Sequence, residues 1–162
     1  MHESDRNRLR KEVRLLRFAA GDMRQARAAI RALLATTAED DVDLMLALET
    51  AIVVCYARPF TYGEGVGQLG EEWAPEDDHE RAVHDEVLVL RDQAYAHTDK
   101  KSGRDVVERF ELHDDGLTGF QESWQALARE VLLTVVIPSC DRQERRFQDA
   151  ADELAEQLRR ET

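Results

Sequence analysis

The sequence predicts an all-α protein: a bundle of about five helices carrying one short β-hairpin or extended insert near residues 104–117. Three observations lead there. Apolar side chains recur in steps of three and four along most of the chain, the spacing of helices with one buried stripe. Breakers are scarce, with 3 Pro and 8 Gly among 162 residues, and charged residues make up 35% against 6% aromatics, a balance that favours helices. A two-residue rhythm appears where Val106, Glu108, Phe110 and Leu112 alternate with Val107, Arg109, Glu111 and His113, ahead of the turn signal Asp115-Gly116. This length suffices for a single domain with a real core. No repeat, linker or low-complexity stretch divides it.

Residues 3–35 place Leu9, Val13, Leu16, Ala20, Met23, Ala26, Ile30 and Leu33 on one seam. That predicts one long helix, or two stacked ones broken at Gly21-Asp22, since glycine costs about 1 kcal/mol inside a helix. Arg10, Arg17, Arg24 and Arg31 lie off the seam and are expected in solvent. Thr37 is a candidate cap for a second helix whose first turn carries Glu39, Asp40, Asp41 and Asp43, acids that suit the positive end of the helix dipole. From Val42 to Tyr56 this helix is apolar on nearly every side and should be the central buried one. Glu49 interrupts it. A carboxylate buried there needs a partner, for which Arg91 is one candidate, unless Glu49 faces outward.

Pro59 ends the second helix, because it disfavours helical geometry at Arg58. The loop Gly63 to Gly70 matches the spacing GxGxxG, but it follows a helix rather than a strand and lacks the setting that gives those glycines a phosphate to cradle. Pro75 marks the start of a third helix with acids in its first turn. His79 and His84, five apart, miss the spacing that puts two metal ligands on one helix face, so both are expected at the surface and no metal or cofactor is expected. Val83, Val87, Leu90 and Ala94 form this helix's stripe. Thr118 and Gln121 have capping-box spacing for a fourth helix, with Trp124, Leu127, Val131, Leu132 and Val135 facing the core. Pro138 is expected to stop it and Ser139 to cap a fifth, whose stripe is Phe147, Ala151, Leu154 and Leu158.

A net charge of -12 speaks against general nucleic-acid binding, which phosphate neutralisation drives. The acidity is local, however. Residues 71–86 hold eight acids and one Arg, whereas residues 100–109 hold four bases and two acids. There is no apolar run near membrane-spanning length, and the start MHESDRNRLRKE is charged throughout, so no membrane partner and a cytoplasmic location are expected. Cys55 and Cys140 lack metal spacing and are expected to be reduced, structural thiols.

Chemistry concentrates at Val87 to Lys100, VLVLRDQAYAHTDK, where an apolar helical run ends in Arg91, Asp92, His97, Asp99 and Lys100. In an unbroken helix, six steps leave Arg91 and His97 about 120° apart. A helix end between them, or two copies of the helix paired symmetrically, would bring both to one cleft, so the spacing favours a dimer-built site. His97 can move a proton in either direction near neutrality, a role worth roughly 10²- to 10⁴-fold in rate. Arg91 offers forked donors to phosphate oxygens. Asp92 and Asp99 can orient these two, and Lys100, Lys101 and Arg104 can hold neighbouring phosphates, with Arg58 as a secondary contact. The competing reading has Arg91 and Asp92 as solvated helix surface and His97 opposing a helix C-terminal dipole.

Arg91-Asp92 followed by His97 after five residues resembles the signature of the HEPN superfamily, and Ala94 to Asp99, AYAHTD, resembles the Ala-His-Ser/Thr-Asp ending of its abortive-infection relatives. The resemblance rests on about ten residues. It implies a single HEPN-like helical domain over residues 1–162, a homodimer, and metal-independent endoribonuclease activity in a toxin-antitoxin or antiphage setting. RNA would then be the substrate, and an antitoxin or regulatory protein a partner. In some toxin members a Tyr two residues after the His is modified by a partner nucleotidyltransferase; Asp99 stands there, a departure from that pattern. The alternative within the same family is a catalytically silent helical module that binds a partner protein or nucleotide through the N-terminal seam and the acidic 71–86 surface.

Overall fold

The N-terminal seam forms one helix, α1 (Glu3–Ala35), without a break at Gly21-Asp22. A computed structural model describes residues 3–36, 42–62, 67–94, 108–113, 116–121 and 129–160. Along α1, Leu9, Val13, Leu16, Ala20, Met23, Ala26, Ile30 and Leu33 are all buried. The continuity at Gly21 has a simple cause: a helix held along both flanks tolerates one poor helix former, because packing outweighs about 1 kcal/mol of propensity. A Cβ built on Gly21 meets nothing within 4 Å. Gly21→Ala is therefore expected to stabilise the protein by about 1 kcal/mol, a rise in Tm of roughly 2–4 °C. Thermal unfolding followed by circular dichroism checks this, and a lower Tm would show that the space is not free.

α2 (Val42–Ala57) and the last helix both pack along α1. The central helix is thus α1, not α2 as the apolar run 42–56 suggested. Ile52, Val53, Cys55, Tyr56 and Ala57 in the C-terminal half of α2 are buried, whereas Leu44 is 44% exposed. An all-round apolar sequence marks what a helix can bury, but how much it buries depends on how many neighbours reach it. The expected cap Thr37 lies outside the described residues. α2 leads into a 3-10 turn, Arg58–Phe60, with Pro59 in its first turn, where the missing N–H costs nothing.

A strap then runs from Gly67, whose φ of 98° suits glycine, through a 3-10 turn at Glu71–Trp73 to Pro75. α3 (Asp78–Ala94) follows. Its start is set by Asp77, whose Oδ1 accepts the backbone N–H groups of His79 and Glu80 at 3.0 Å each, the capping that Ser, Thr, Asn and Asp provide. Beyond it, β1 (Glu108–His113) pairs antiparallel with β2 (Gly116–Gln121). Thr118 stands opposite Glu111 in this ladder, so it does not open a helix as its capping-box spacing suggested. Trp124 and Leu127 lie outside the described residues.

From Arg129 onward the backbone stays helical to Arg160, and we treat the stretch as one helix, α4: an α turn Arg129–Val131, a π segment Leu132–Val136 and an α-helix Ile137–Arg160. The expected stop at Pro138 and separate fifth helix give way to this continuous element. Proline inside a helix lacks an N–H and its ring crowds the carbonyl four residues back, here Thr134. The π segment widens the ladder at that point and leaves room for the ring. Ser139 is buried within the helix rather than at its start. The described helices are therefore four, and among the described residues none is long and apolar enough to cross a membrane.

Ion pairs stitch α1 to α4. Arg27 lies between Asp141 and Glu144, and Arg24 Nε donates to Glu144 Oε1 at 2.9 Å. Arg17 pairs with Asp152 at 3.7 Å. Arg17 and Arg24 are exposed to solvent as expected, and from there they face acids on a helix more than a hundred residues away. Both cysteines are unbridged and buried, and burial pushes the Cys140 thiol up to about 12. Neither is a reactive thiol.

Candidate functional site

α3 ends at Ala94 and carries Arg91 in its last turn. Val83 and Val87 of the expected stripe are buried and Leu90 is half-buried, which turns Arg91 toward the edge of the helix-helix contact. Its side chain is 33% exposed, and Nη1 donates to Asp92 Oδ1 at 2.8 Å. Asp92 itself is 64% exposed. An exposed pair of this kind is worth roughly 0.2–1 kcal/mol, so a phosphate that offers two oxygens can take the guanidinium from Asp92. The structure thus brings Arg91 and Asp92 together at an accessible surface. His97, Asp99, Lys100, Lys101 and Arg104 lie outside the described residues.

Glu49 is half-buried on α2, and burial raises its carboxyl above the ordinary range. Among the described residues it has no ion-pair partner, and Arg91, one candidate partner for Glu49, is paired with Asp92 instead. Arg58, the secondary phosphate contact, donates from Nη1 to Asp22 Oδ1 at 2.6 Å. Asp22 is buried; burial raises its carboxyl, and the Arg58 charge works against that rise. Because Arg58 is the compensating charge for a buried acid, giving it to a phosphate would leave Asp22 unpaired. Arg58 thus balances a buried acid, while its own side chain is 54% exposed.

His84, expected at the surface, is 3% exposed. Its ring stands edge-on to Phe60 at 4.5 Å between centroids and tilts against Tyr56 at 5.8 Å. Nδ1 is buried without a hydrogen-bond partner. Burial lowers its proton affinity, Asp85 and Glu71 oppose that and Arg81 adds to it, so His84 titrates below its ordinary 6.5. A signal for this was present in the sequence: His84 and Leu88 stand four apart, directly beside Val83 and Val87 on the same buried stripe. One consequence is a stability slope. The unfolded chain binds the His84 proton more tightly than the folded one, so stability is level above about pH 6.5 and falls as pH drops through the lower folded value. His84→Phe is expected to flatten that fall. Urea unfolding at about pH 7.5 and about pH 5.5 checks it, and an equal loss in wild type and variant would place the sensitivity elsewhere.

The strap over His84 is held from both ends. Leu69 N donates to the Pro59 carbonyl and Gln68 Nε2 to the Phe60 carbonyl, both at 2.8 Å. Gln143 Nε2 and Arg146 Nη2 of α4 donate to the carbonyls of Trp73 and Glu72 at 3.0 and 2.6 Å. Arg146 also lies over the Trp73 ring at 5.2 Å. His84, Leu88 and Arg91 lie on one face of α3 at steps of four and three, so the buried histidine and the accessible arginine belong to a single stripe. No family model, no curated protein and no solved structure matches this chain.

Proposed function

We propose that the chain is a metal-independent endoribonuclease of the HEPN type, acting as a cytoplasmic homodimer in a toxin-antitoxin or antiphage setting. The observation that supports it is Arg91 itself: a guanidinium on the last turn of α3, reached by solvent and held by a weak, exposed bond to Asp92. The motif puts His97 six residues on. In this reading His97 accepts the ribose 2′-hydroxyl proton and that oxygen attacks the adjacent phosphorus. The 5′-oxygen then leaves with a proton from an acid, the second copy's imidazole in a symmetric site, and a 2′,3′-cyclic phosphate remains. Arg91 stabilises the charge that develops on the phosphorus oxygens. Asp92 and Asp99 orient the Arg and His, and Lys100, Lys101 and Arg104 hold flanking phosphates. Glu49 takes no part.

A second reading, a non-catalytic module that binds a partner protein, antitoxin or nucleotide, is favoured by the Arg91–Asp92 pair if that pair is a permanent structural bond. Incubating a mixed-sequence RNA with wild type, Arg91→Ala and His97→Ala in excess chelator separates the two. Cyclic phosphate ends from wild type alone support the enzyme. No cleavage by wild type, or equal cleavage by folded variants, removes it in favour of the binding module.

A further inference from the structure

α1 carries nine bases and four acids in a chain whose net charge is -12, so it is a basic element in an acidic protein. At about 100° per residue, Arg10, Lys11, Arg14, Arg17 and Phe18 fall in an arc of about 120°, on the side turned away from the buried Leu9, Val13 and Leu16. All five are exposed. Glu12, the one acid of the sequence between residues 7 and 21, points about 160° from the centre of that arc. Among the described residues Lys11 and Arg14 have no carboxylate within ion-pair distance, whereas Arg10 and Arg17 meet Glu3 and Asp152 at 3.8 and 3.7 Å. Pairs so long and so exposed are weak and give way to a phosphate. Phe18 is 49% exposed among these cations, with the Arg14 guanidinium 5.4 Å from its ring centroid, while Phe60 and Phe147 are buried.

Arginines alone would make an ordinary solvated face. The open ring beside a guanidinium adds a second chemistry, a flat apolar surface next to positive charge, which suits strands whose bases are unpaired. A duplex offers phosphates but hides its base faces. A membrane is a poorer match, because an interfacial helix buries a whole apolar face among lipids, and α1 spends that face on the core. From Arg10 to Phe18 the helix rises about 12 Å, room for a few nucleotides. The chain's overall acidity is no bar, since charge acts on a strand within a screening length of about 8–10 Å. We propose that this face of α1 binds a single strand of nucleic acid, with a base stacked on Phe18 and phosphates taken by Arg10, Lys11 and Arg14. RNA and DNA offer these same groups. The proposal does not involve Arg91 and rests on the ribonuclease reading only for which strand is expected, RNA.

Fluorescence anisotropy with a labelled 2′-O-methyl RNA of about 12 nucleotides tests it, because that strand cannot be cut by 2′-hydroxyl attack. Wild type is expected to bind it saturably at low salt and to lose affinity steeply as salt rises. Lys11→Ala and Arg14→Ala should each weaken binding and lower the salt slope by about 0.7. Phe18→Ser should weaken it about tenfold and leave the slope unchanged, the mark of a lost stack rather than a lost charge. Arg145→Ala, at an exposed arginine of α4, should change neither. These positions are exposed, so Tm should hold in every variant. A DNA strand of the same sequence separates the sources: tighter binding of the RNA assigns RNA, and the reverse assigns DNA. Absence of saturable binding at low salt, wild-type affinity in Phe18→Ser, or a loss in Arg145→Ala equal to that in Arg14→Ala overturns the proposal. So does a duplex that binds as tightly as the strand, or binding to phosphatidylserine vesicles in place of either strand. Strand binding by a wild type that leaves ordinary RNA uncut supports this face and removes the ribonuclease, and cleavage with strand binding unchanged in all α1 variants does the reverse.

Discussion

Phe147→Ala is expected to destabilise the protein by about 3–5 kcal/mol, the usual cost of truncating a fully buried phenylalanine. The ring is 0% exposed. It sits 5.6 Å from Trp73 and 6.3 Å from Phe60 between ring centroids, so it is the floor on which the strap and the end of α2 both rest. Removing it leaves a cavity that α4 cannot close, because α4 is held at its distance from α1 by Arg27, Asp141 and Glu144. At roughly 2–4 °C per kcal/mol for a chain of this size, Tm should fall by about 6–20 °C. The Trp73 side chain loses a ring partner at the same time, so its fluorescence should change before global unfolding, as the strap loosens over His84. A Tm drop of only a degree or two would mean that the core collapses onto the vacancy and that Phe147 does not organise the strap.

His97→Ala is expected to slow RNA cleavage by roughly 10²- to 10⁴-fold, the range for loss of a positioned acid or base. Arg91→Ala should match it in direction, since the guanidinium acts where charge builds up in the transition state, and a single such donor is worth roughly 10²- to 10³-fold. Arg91→Lys discriminates: it keeps the charge and loses the fork, so it should recover only part of the rate. Folding should be unaffected in the arginine variants, because the Arg91–Asp92 bond is exposed and weak. If Arg91→Ala instead lowers Tm by several degrees at unchanged cleavage, Arg91 is a structural residue and the ribonuclease assignment fails.

Helix identity was legible where one stripe repeats over many turns. Leu9 to Leu33 in α1 and Val83 to Val87 in α3 are buried as their spacing predicts, because a helix of period 3.6 presents those positions to one side whatever lies opposite. Arg91 was legible as an exposed cation at the end of such a stripe. The five-residue spacing of His79 and His84 points to two surface histidines, whereas the position of His84 four before Leu88 puts it on the buried face. Pro138 does not stop its helix, because the proline rule describes an ideal α ladder and the π segment Leu132–Val136 changes the ladder just before it.

What the sequence determined by itself is therefore local: which stretches are helical, which face each buries, and which ionisable groups lie within a few turns of one another. What only the tertiary structure decided is which helix is central, that Arg27 meets Asp141 and Glu144, that Arg58 pairs with the buried Asp22, and that the strap lies beside His84. Periodicity is a property of neighbours three and four residues apart, set by the backbone's own geometry. Partners more than a hundred residues apart are chosen by how whole helices share one core, and a single chain's spacing holds no record of that choice.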